Sequence, residues 1–308
     1  LRHCTWNAVS RLGPGAFETI GGHVVNVALT ILTAGVPPKG AVIGGVEASD
    51  AKSPAEKATL LRDGPIALVP QAEQLENPDA TISLQSNAGR TYLREYAGCS
   101  QGLSTGDDLY WRRQFWELPA IGDTWAAMQT PSHGCGIFAG REGVVHRDFL
   151  TGHDHTGVIR GRDVWGQIGV AIDRVGSVSR SLYFGDVFHS LSPVIVPKSP
   201  KNRLAVVTFC LSDEFVEQVR STKLALNLSN GYLEKLPFDL DYWQRAAAKK
   251  YPDGLPEPES DDPTQWLFHG HPYEAEEDAM LHVAVARLLG YRWPAELDDK
   301  MRLSKRAR

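Results

Sequence analysis

The stretch Gln101-Gly-Leu-Ser-Thr-Gly-Asp-Asp-Leu-Tyr-Trp-Arg-Arg-Gln-Phe-Trp-Glu117 holds the side chains best suited to gripping a charged, planar ligand. Ser104 and Thr105 stand between Gly102 and Gly106, so hydroxyls are offered where glycine lets the backbone approach closely. An aromatic and basic run follows: Tyr110, Trp111, Arg112, Arg113, Phe115 and Trp116. Flat rings beside guanidiniums suit stacking on bases and pairing with phosphates. The same residues also compose a turn followed by an ordinary buried strand or helix. More arginines lie in or near glycine-rich loops, at Arg141, Arg147, Arg160 and Arg162, with His146, Arg174 and Arg180 nearby. Arginine matches guanine edges and phosphate oxygens geometrically. The competing role is a solvated surface or local pairing with Asp107, Asp148, Asp154 and Asp173. The candidate DNA-binding set is therefore Ser104, Thr105, Arg112, Arg113, Arg141, Arg147, Arg160 and Arg162.

Other chemistries find less support. His153-Asp-His155 and His269-Gly-His271 could each supply metal ligands, but no third ligand stands at a recognisable spacing, so both read as loops and no metal site is expected. Glu117, Asp123 and Glu142 could be a glycosidase's carboxylate pair beside Trp116 and Trp125, although sequence gives no separation between them. Ser104 and Thr105 have no identifiable base, so no catalytic residue is assigned.

The elements that must position these residues read as α+β. Trp6 to Leu12 alternates loosely and ends at the turn Gly13-Pro14-Gly15. His23 to Thr33 is β-branched and long enough for one strand. Gly13-Pro-Gly15-Ala-Phe-Glu18 is not a dinucleotide loop, since Glu18 stands where the third glycine belongs. Val36 to Ala55 reads as a linker or extended ribbon and Ala55 to Arg62 as a helix. Ala67 to Val69 and Thr81 to Leu84 read as short strands, and Arg90 to Ala97 as a short helix. From Cys99 to Lys235 short strand candidates recur between Gly and Pro, predicting a mostly β, curled domain. They are Gly136 to Ala139, Gly143 to His146, Gln167 to Ile172, Ser181 to Phe184, Pro193 to Val196 and Leu204 to Cys210. Ser212 can cap a helix with Phe215 and Val219 inward. Helices are predicted again over Asp239 to Lys250 and Glu276 to Leu289, the last stopped by Gly290.

A chain of 308 residues, 42% hydrophobic and 22% charged, allows about two packed domains. No apolar run approaches the roughly 18 residues of a membrane span. Cys4, Cys99, Cys135 and Cys210 are widely separated, which predicts free thiols and a reducing cytoplasm. The start at Leu1, with no signal pattern, is expected of a fragment or an incomplete reading frame. Net charge is −5, yet Cys99 to Cys210 holds eleven basic against ten acidic residues, so a local DNA face is permitted. Asp253 to Asp299 is acidic, with twelve acidic residues against two basic.

Three stretches together carry a resemblance. Gln101 to Asp108 with the aromatic-basic run and Phe115-Trp-Glu117 resembles the opening of the target-recognition region in Eco57I-like adenine-N6 DNA methyltransferases, including those of the BREX and DISARM phage-defence systems. Arg11 to Leu32 resembles the last two strands of their catalytic domain. Asp261 to Pro272 with Val283 to Trp293 resembles the DISARM-type enzymes. The resemblance implies a strand pair closing a Rossmann-like methyltransferase sheet (1–34), a connector (35–98), a mostly β target-recognition domain (99–235) and a helical C-terminal segment (236–308). It also implies double-stranded DNA as partner, together with a missing catalytic domain or other defence-system subunits. The parent enzyme uses S-adenosylmethionine. Such an enzyme needs a glycine loop against that cofactor and an Asn-Pro-Pro-aromatic turn that engages the flipped adenine. Neither occurs here: Val36-Pro37-Pro38-Lys39 lacks the polar and aromatic flanks, and Asn77-Pro78-Asp79 lacks the second proline. The chain alone is thus expected to bind no cofactor and to be inactive. A stand-alone DNA-specificity subunit and a carbohydrate-active β domain remain the alternatives.

Overall fold

A computed structural model describes residues 1–18, 26–77, 82–84, 91–133, 136–152, 156–176, 178–222, 229–256, 279–292 and 294–302. The architecture is mixed α+β, with three small four-stranded sheets and several helices. The chain forms two compact units, Leu1–Arg90 and Thr91–Arg308. Among the described residues no helix is long and apolar enough to cross a membrane.

The first unit is one sheet in the order β2-β1-β3-β4. Its strands are β1 (Cys4–Gly13), β2 (Val27–Ala34), β3 (Val42–Glu47) and β4 (Ala67–Pro70). β1 runs antiparallel to β2 and parallel to β3, and β3 runs antiparallel to β4. Part of the stretch expected as a linker is therefore a central strand. The strand pair at the start is extended into a sheet by β3 and β4 of the same unit. Ile43 is fully buried, and together with Val9 and Val69 it forms the covered face under Ile82 and Leu84. Gly45 is what admits Leu84, since a Cβ there would lie 2.3 Å from that side chain. Residues 82–84 are not a strand but the lid on this face.

Helix α1 (Pro54–Asp63) starts where Ser53 accepts from the Glu56 amide at 3.3 Å, with Pro54 in its first turn. It supplies Lys57, 2% exposed, whose ammonium donates to the carbonyls of Leu12 (2.6 Å), Ala48 (3.1 Å) and Ala51 (2.5 Å). Gln71 clamps the other end of β1, donating to the Leu1 and Cys4 carbonyls at 2.8 Å and accepting from the Trp6 amide at 2.9 Å.

The second unit holds two sheets. One runs β10-β9-β12-β5, all antiparallel. It comprises β5 (Ala97–Ser100), β9 (Gly169–Ile172), β10 (Arg180–Tyr183) and β12 (Val194–Pro197). Its central strands β9 and β12 carry unbroken small and apolar runs, Gly-Val-Ala-Ile and Val-Ile-Val-Pro, because both faces are covered. One face takes α4 (Arg203–Cys210), α5 (Asp213–Thr222), α6 (Asn230–Glu234) and α7 (Leu240–Lys250), which share a core with Val170, Ile172, Leu182 and Ile195. The other face meets Val164 and Phe188.

Leu204 to Cys210, expected as a strand, is helix α4. An unbroken apolar run reads alike as a buried strand or a helix buried all round, and Ala205 to Cys210 are indeed all buried. Thr208 returns its hydroxyl to the Leu204 carbonyl at 2.7 Å, a helical bond. Gly136 to Ala139, also expected as a strand, is a turn. Gly136 (φ 101°) and Gly140 (φ 86°) both have left-handed backbone, which breaks a ladder. Of the stretch expected as a helix from Arg90 to Ala97, the described residues 91–97 hold a single 3-10 turn, Leu93–Glu95, before β5. The helices expected after Ser212 and from Asp239 are present, and the last helix ends just before Gly290, its expected start at Glu276 lying outside the described residues. Ser212 accepts from Phe215 at 3.2 Å and Asp239 from Tyr242 at 3.0 Å.

The other sheet runs β11-β7-β8-β6. Its strands are β6 (Arg112–Gln114), β7 (Trp125–Gln129), β8 (Gly143–His146) and β11 (Val187–Phe188). Helix α8 (Ala279–Leu288) covers part of it, with Ala286 and Tyr291 packed on Phe115 and Val144. Gln129 ties the two sheets together by donating its side-chain amide to the Ser181 hydroxyl at 3.2 Å, while its backbone carbonyl accepts from the His189 amide at 2.9 Å.

Candidate nucleic-acid interface

The glycine loop 102–107 is clamped against a second loop, 156–161. Ser104 and Val158 exchange two backbone hydrogen bonds, of 2.9 and 2.8 Å. Two glycines make this approach possible. At Gly157 a Cβ would meet the Thr105 carbonyl and the Phe149 ring, both at 2.5 Å. Gly106, with φ 75°, faces the Thr156 hydroxyl at 2.8 Å from the same hypothetical atom. Arg160 and Arg162 follow at the end of the second loop.

Helix α2 (Asp108–Trp111) rises from the glycine loop, capped by Asp107, whose carboxylate accepts from the Tyr110 amide at 3.1 Å. Thr105 turns inward, 1% exposed, and its hydroxyl donates to Asp108. Arg112 reaches the other oxygen of Asp108 at 2.7 Å. Burial pushes the Asp108 carboxyl up, but the Thr105 hydroxyl, and after it Arg112, outweigh this and hold it below the usual range. Behind them stands His189, 7% exposed. Burial, reinforced by Arg112 and opposed by Asp108, drives its pKa down to about 4. The neutral ring accepts from the Leu191 amide through Nδ1 at 3.3 Å. The four side chains form an internal bracket under α2.

An aromatic cluster lies alongside. Trp111 packs edge-on to Tyr110 (4.7 Å between centroids), against Phe149 (5.5 Å) and near His146 (6.1 Å), which in turn meets Trp125 at 5.0 Å. Arg113 lies 5.9 Å over Trp125 and donates to the carbonyls of Leu109 and Arg112. Helix α3 (Arg147–Thr151) begins at this cluster, with the His146 ring accepting from the Asp148 amide at 3.2 Å. Arg162 covers Trp165 at 5.3 Å and donates to the Leu150 carbonyl at 2.6 Å. Arg147 and Arg160 are exposed and make no ion pair among the described residues.

Seven of the eight anticipated residues thus gather around one feature. Ser104, Arg147, Arg160 and Arg162 are exposed, Arg113 is half-buried on Trp125, and Thr105 and Arg112 are committed to Asp108. The eighth, Arg141, stands apart at the opposite end of β8. It pairs with Asp186 at 2.9 Å and lies over Phe184 at 5.5 Å. Among the anticipated pairing acids, Asp107 and Asp148 stay local, and Asp173 accepts from the Ser132 and His133 amides at 2.9 Å. Asp154, with the two His-x-His pairs, lies outside the described residues.

Sequence reasoning missed Asp108 and His189. Asp108 had a usable signal, since Thr105-x-x-Asp108 and Asp108-x-x-x-Arg112 are helical spacings. His189 had none, being distant in sequence.

Among the described residues, the glycine turn after β1 is closed: a Cβ at Gly13 would fall 2.9 Å from Ser49. Glu117, a candidate acid, is used locally to accept from the Gln114 amide at 2.6 Å. Among the described residues no group of His, Cys, Asp and Glu could hold a metal ion. No protein-family model matches this sequence, and no curated protein matches it.

Proposed function

We propose that residues 91–308 read duplex DNA, setting the target for an adenine-N6 DNA methyltransferase of a restriction or phage-defence system. Methyl transfer from S-adenosylmethionine belongs to a catalytic domain or separate subunit, and the setting is cytoplasmic. One observation carries the reading. Next to the clamp between loops 102–107 and 156–161, Arg147, Arg160 and Arg162 are exposed in the same part of the chain as the exposed Tyr110 ring and Ser104 hydroxyl, while the carboxylates of Asp107 and Asp108 are engaged within α2 and by Arg112. Cations left open next to stacking surfaces are what nucleic acid requires.

The test is fluorescence anisotropy of a randomised duplex pool with the full chain and with R147A/R160A/R162A. Losing three phosphate contacts is expected to weaken binding at least tenfold at low salt. Unchanged affinity in the triple variant would overturn the assignment.

A further inference from the structure

The sheet of the first unit has two edges, and the sequence treats them differently. The β4 edge, Ala67–Pro70, is four residues long and closes on a proline, which has no amide to offer a further strand. The β2 edge, Val27–Ala34, is eight residues long and holds no proline, glycine or charge. Its inner side pairs with β1 from end to end, and among the described residues no strand takes its outer side. Leu29 is 50% exposed, Ile31 62% and Leu32 47%. The usual protections of an edge are short length, proline, charge or a covering segment, and β2 has none of the first three. A row of outward amides and carbonyls is matched in spacing only by another strand, so the backbone itself names the class of partner.

The order of residues in β2 selects a second copy of the same strand. Antiparallel self-pairing needs a two-fold axis normal to the sheet, and opposite residues then share a face, so the axis must pass through a residue. With the axis at Thr30, Leu29 lies opposite Ile31 of the second copy, Ala28 opposite Leu32 and Val27 opposite Thr33. Leu29 and Ile31 share one face, being paired with Ser10 and Ala8 of β1, so both copies of each meet as one apolar block. Thr30 meets Thr30, a pair whose hydroxyls can bond each other. An axis at Ile31 would instead set Leu29 against Thr33, and one at Leu29 would shorten the overlap. Two-fold pairing also brings like charges together, and here it meets none. β2 is uncharged, and Arg11, the only charged residue of β1, is held by Glu47 at 3.6 Å.

We propose that β2 is the interface of a two-fold dimer, pairing antiparallel with β2 of a second copy about an axis at Thr30. The two four-stranded sheets become one sheet of eight strands. The contact is the same surface on both copies, so it closes on itself, and the short, proline-ended β4 at each outer edge discourages further growth. This pairing belongs to the first unit and stands independently of the DNA reading.

Sedimentation equilibrium of the full chain, up to its limit of solubility, is expected to show the mass rising from that of one chain to that of two, with nothing larger. L29K/I31K sets lysine opposite lysine and L29E/I31E sets glutamate opposite glutamate, so each should stay monomeric with the circular dichroism of wild type. Mixed in equal amounts the two variants should dimerise again, a recovery that misfolding cannot imitate. T30C should form an interchain disulfide on mild oxidation, above the background of the native cysteines, whereas V27C and T33C should link only to each other when mixed. Wild type that stays monomeric at every concentration, charge variants that dimerise as wild type does, or no recovery on mixing would overturn the dimer. V27C linking to its own copy as readily as T30C would overturn the two-fold pairing at Thr30.

Discussion

At the scale of single residues, the site depends on close approaches that only small or neutral groups allow. Gly157 lets the second loop lie on Thr105 and Phe149. Gly157→Ala is expected to destabilise the chain by about 1–3 kcal/mol, the usual cost of overpacking, and to weaken DNA binding by parting the loops. Urea unfolding followed by tryptophan fluorescence would measure the first effect. His189 gives a pH dependence whose sign is fixed by its depressed pKa of about 4. An unfolded histidine titrates near 6.5, so between those values the unfolded chain binds more protons. The stability contributed by neutral His189 is present above pH 6.5 and is lost as pH falls toward 4, by at most about 1.4 kcal/mol per pH unit. His189→Gln should flatten this part of the profile. Urea midpoints of both proteins across that range, falling in parallel, would show that His189 is not its source.

At the scale of elements, Lys57 shows how one side chain fixes three segments of the first sheet. Its ammonium satisfies carbonyls of Leu12, Ala48 and Ala51 in a setting 2% exposed. Lys57→Met strands these buried acceptors, and a loss of about 3 kcal/mol or more is expected from thermal or urea unfolding. Strand β2 poses the opposite problem. It is an edge strand with Leu29, Ile31 and Leu32 about half exposed or more and no charge along Val27–Ala34. Such an edge invites pairing with other chains, so Ile31→Lys should reduce aggregation in light scattering without lowering the unfolding midpoint.

These elements also show what was legible from the sequence. The helix after Ser212 declared itself because capping is local chemistry, and the helices near Ala55 and Asp239 were legible as runs whose caps, Ser53 and Asp239, the structure supplies. Leu204 to Cys210 did not, since full burial erases the periodicity that separates helix from strand. β3 was hidden by Gly44 and Gly45, which read as linker until Leu84 is seen lying on the second of them. At the site, the arginine and aromatic types were evident, but their meeting depends on the contact between Ser104 and Val158, a pairing with no local signature.

At the scale of the whole molecule, a net charge of −5 argues against any general attraction to DNA, so the proposed binding rests on a few local arginines, Arg113, Arg147, Arg160 and Arg162. A few local cations would make a countable number of phosphate contacts, each releasing bound counterions. The most direct measurement is therefore the affinity of the full chain for duplex DNA as a function of salt. With three to four contacts, the logarithm of the association constant should fall linearly with the logarithm of salt concentration, with a slope of about −2.7 to −3.6. The R147A/R160A/R162A variant should bring that slope close to −1. A wild-type line indifferent to salt, or no binding at any salt, would contradict the assignment of this surface to DNA.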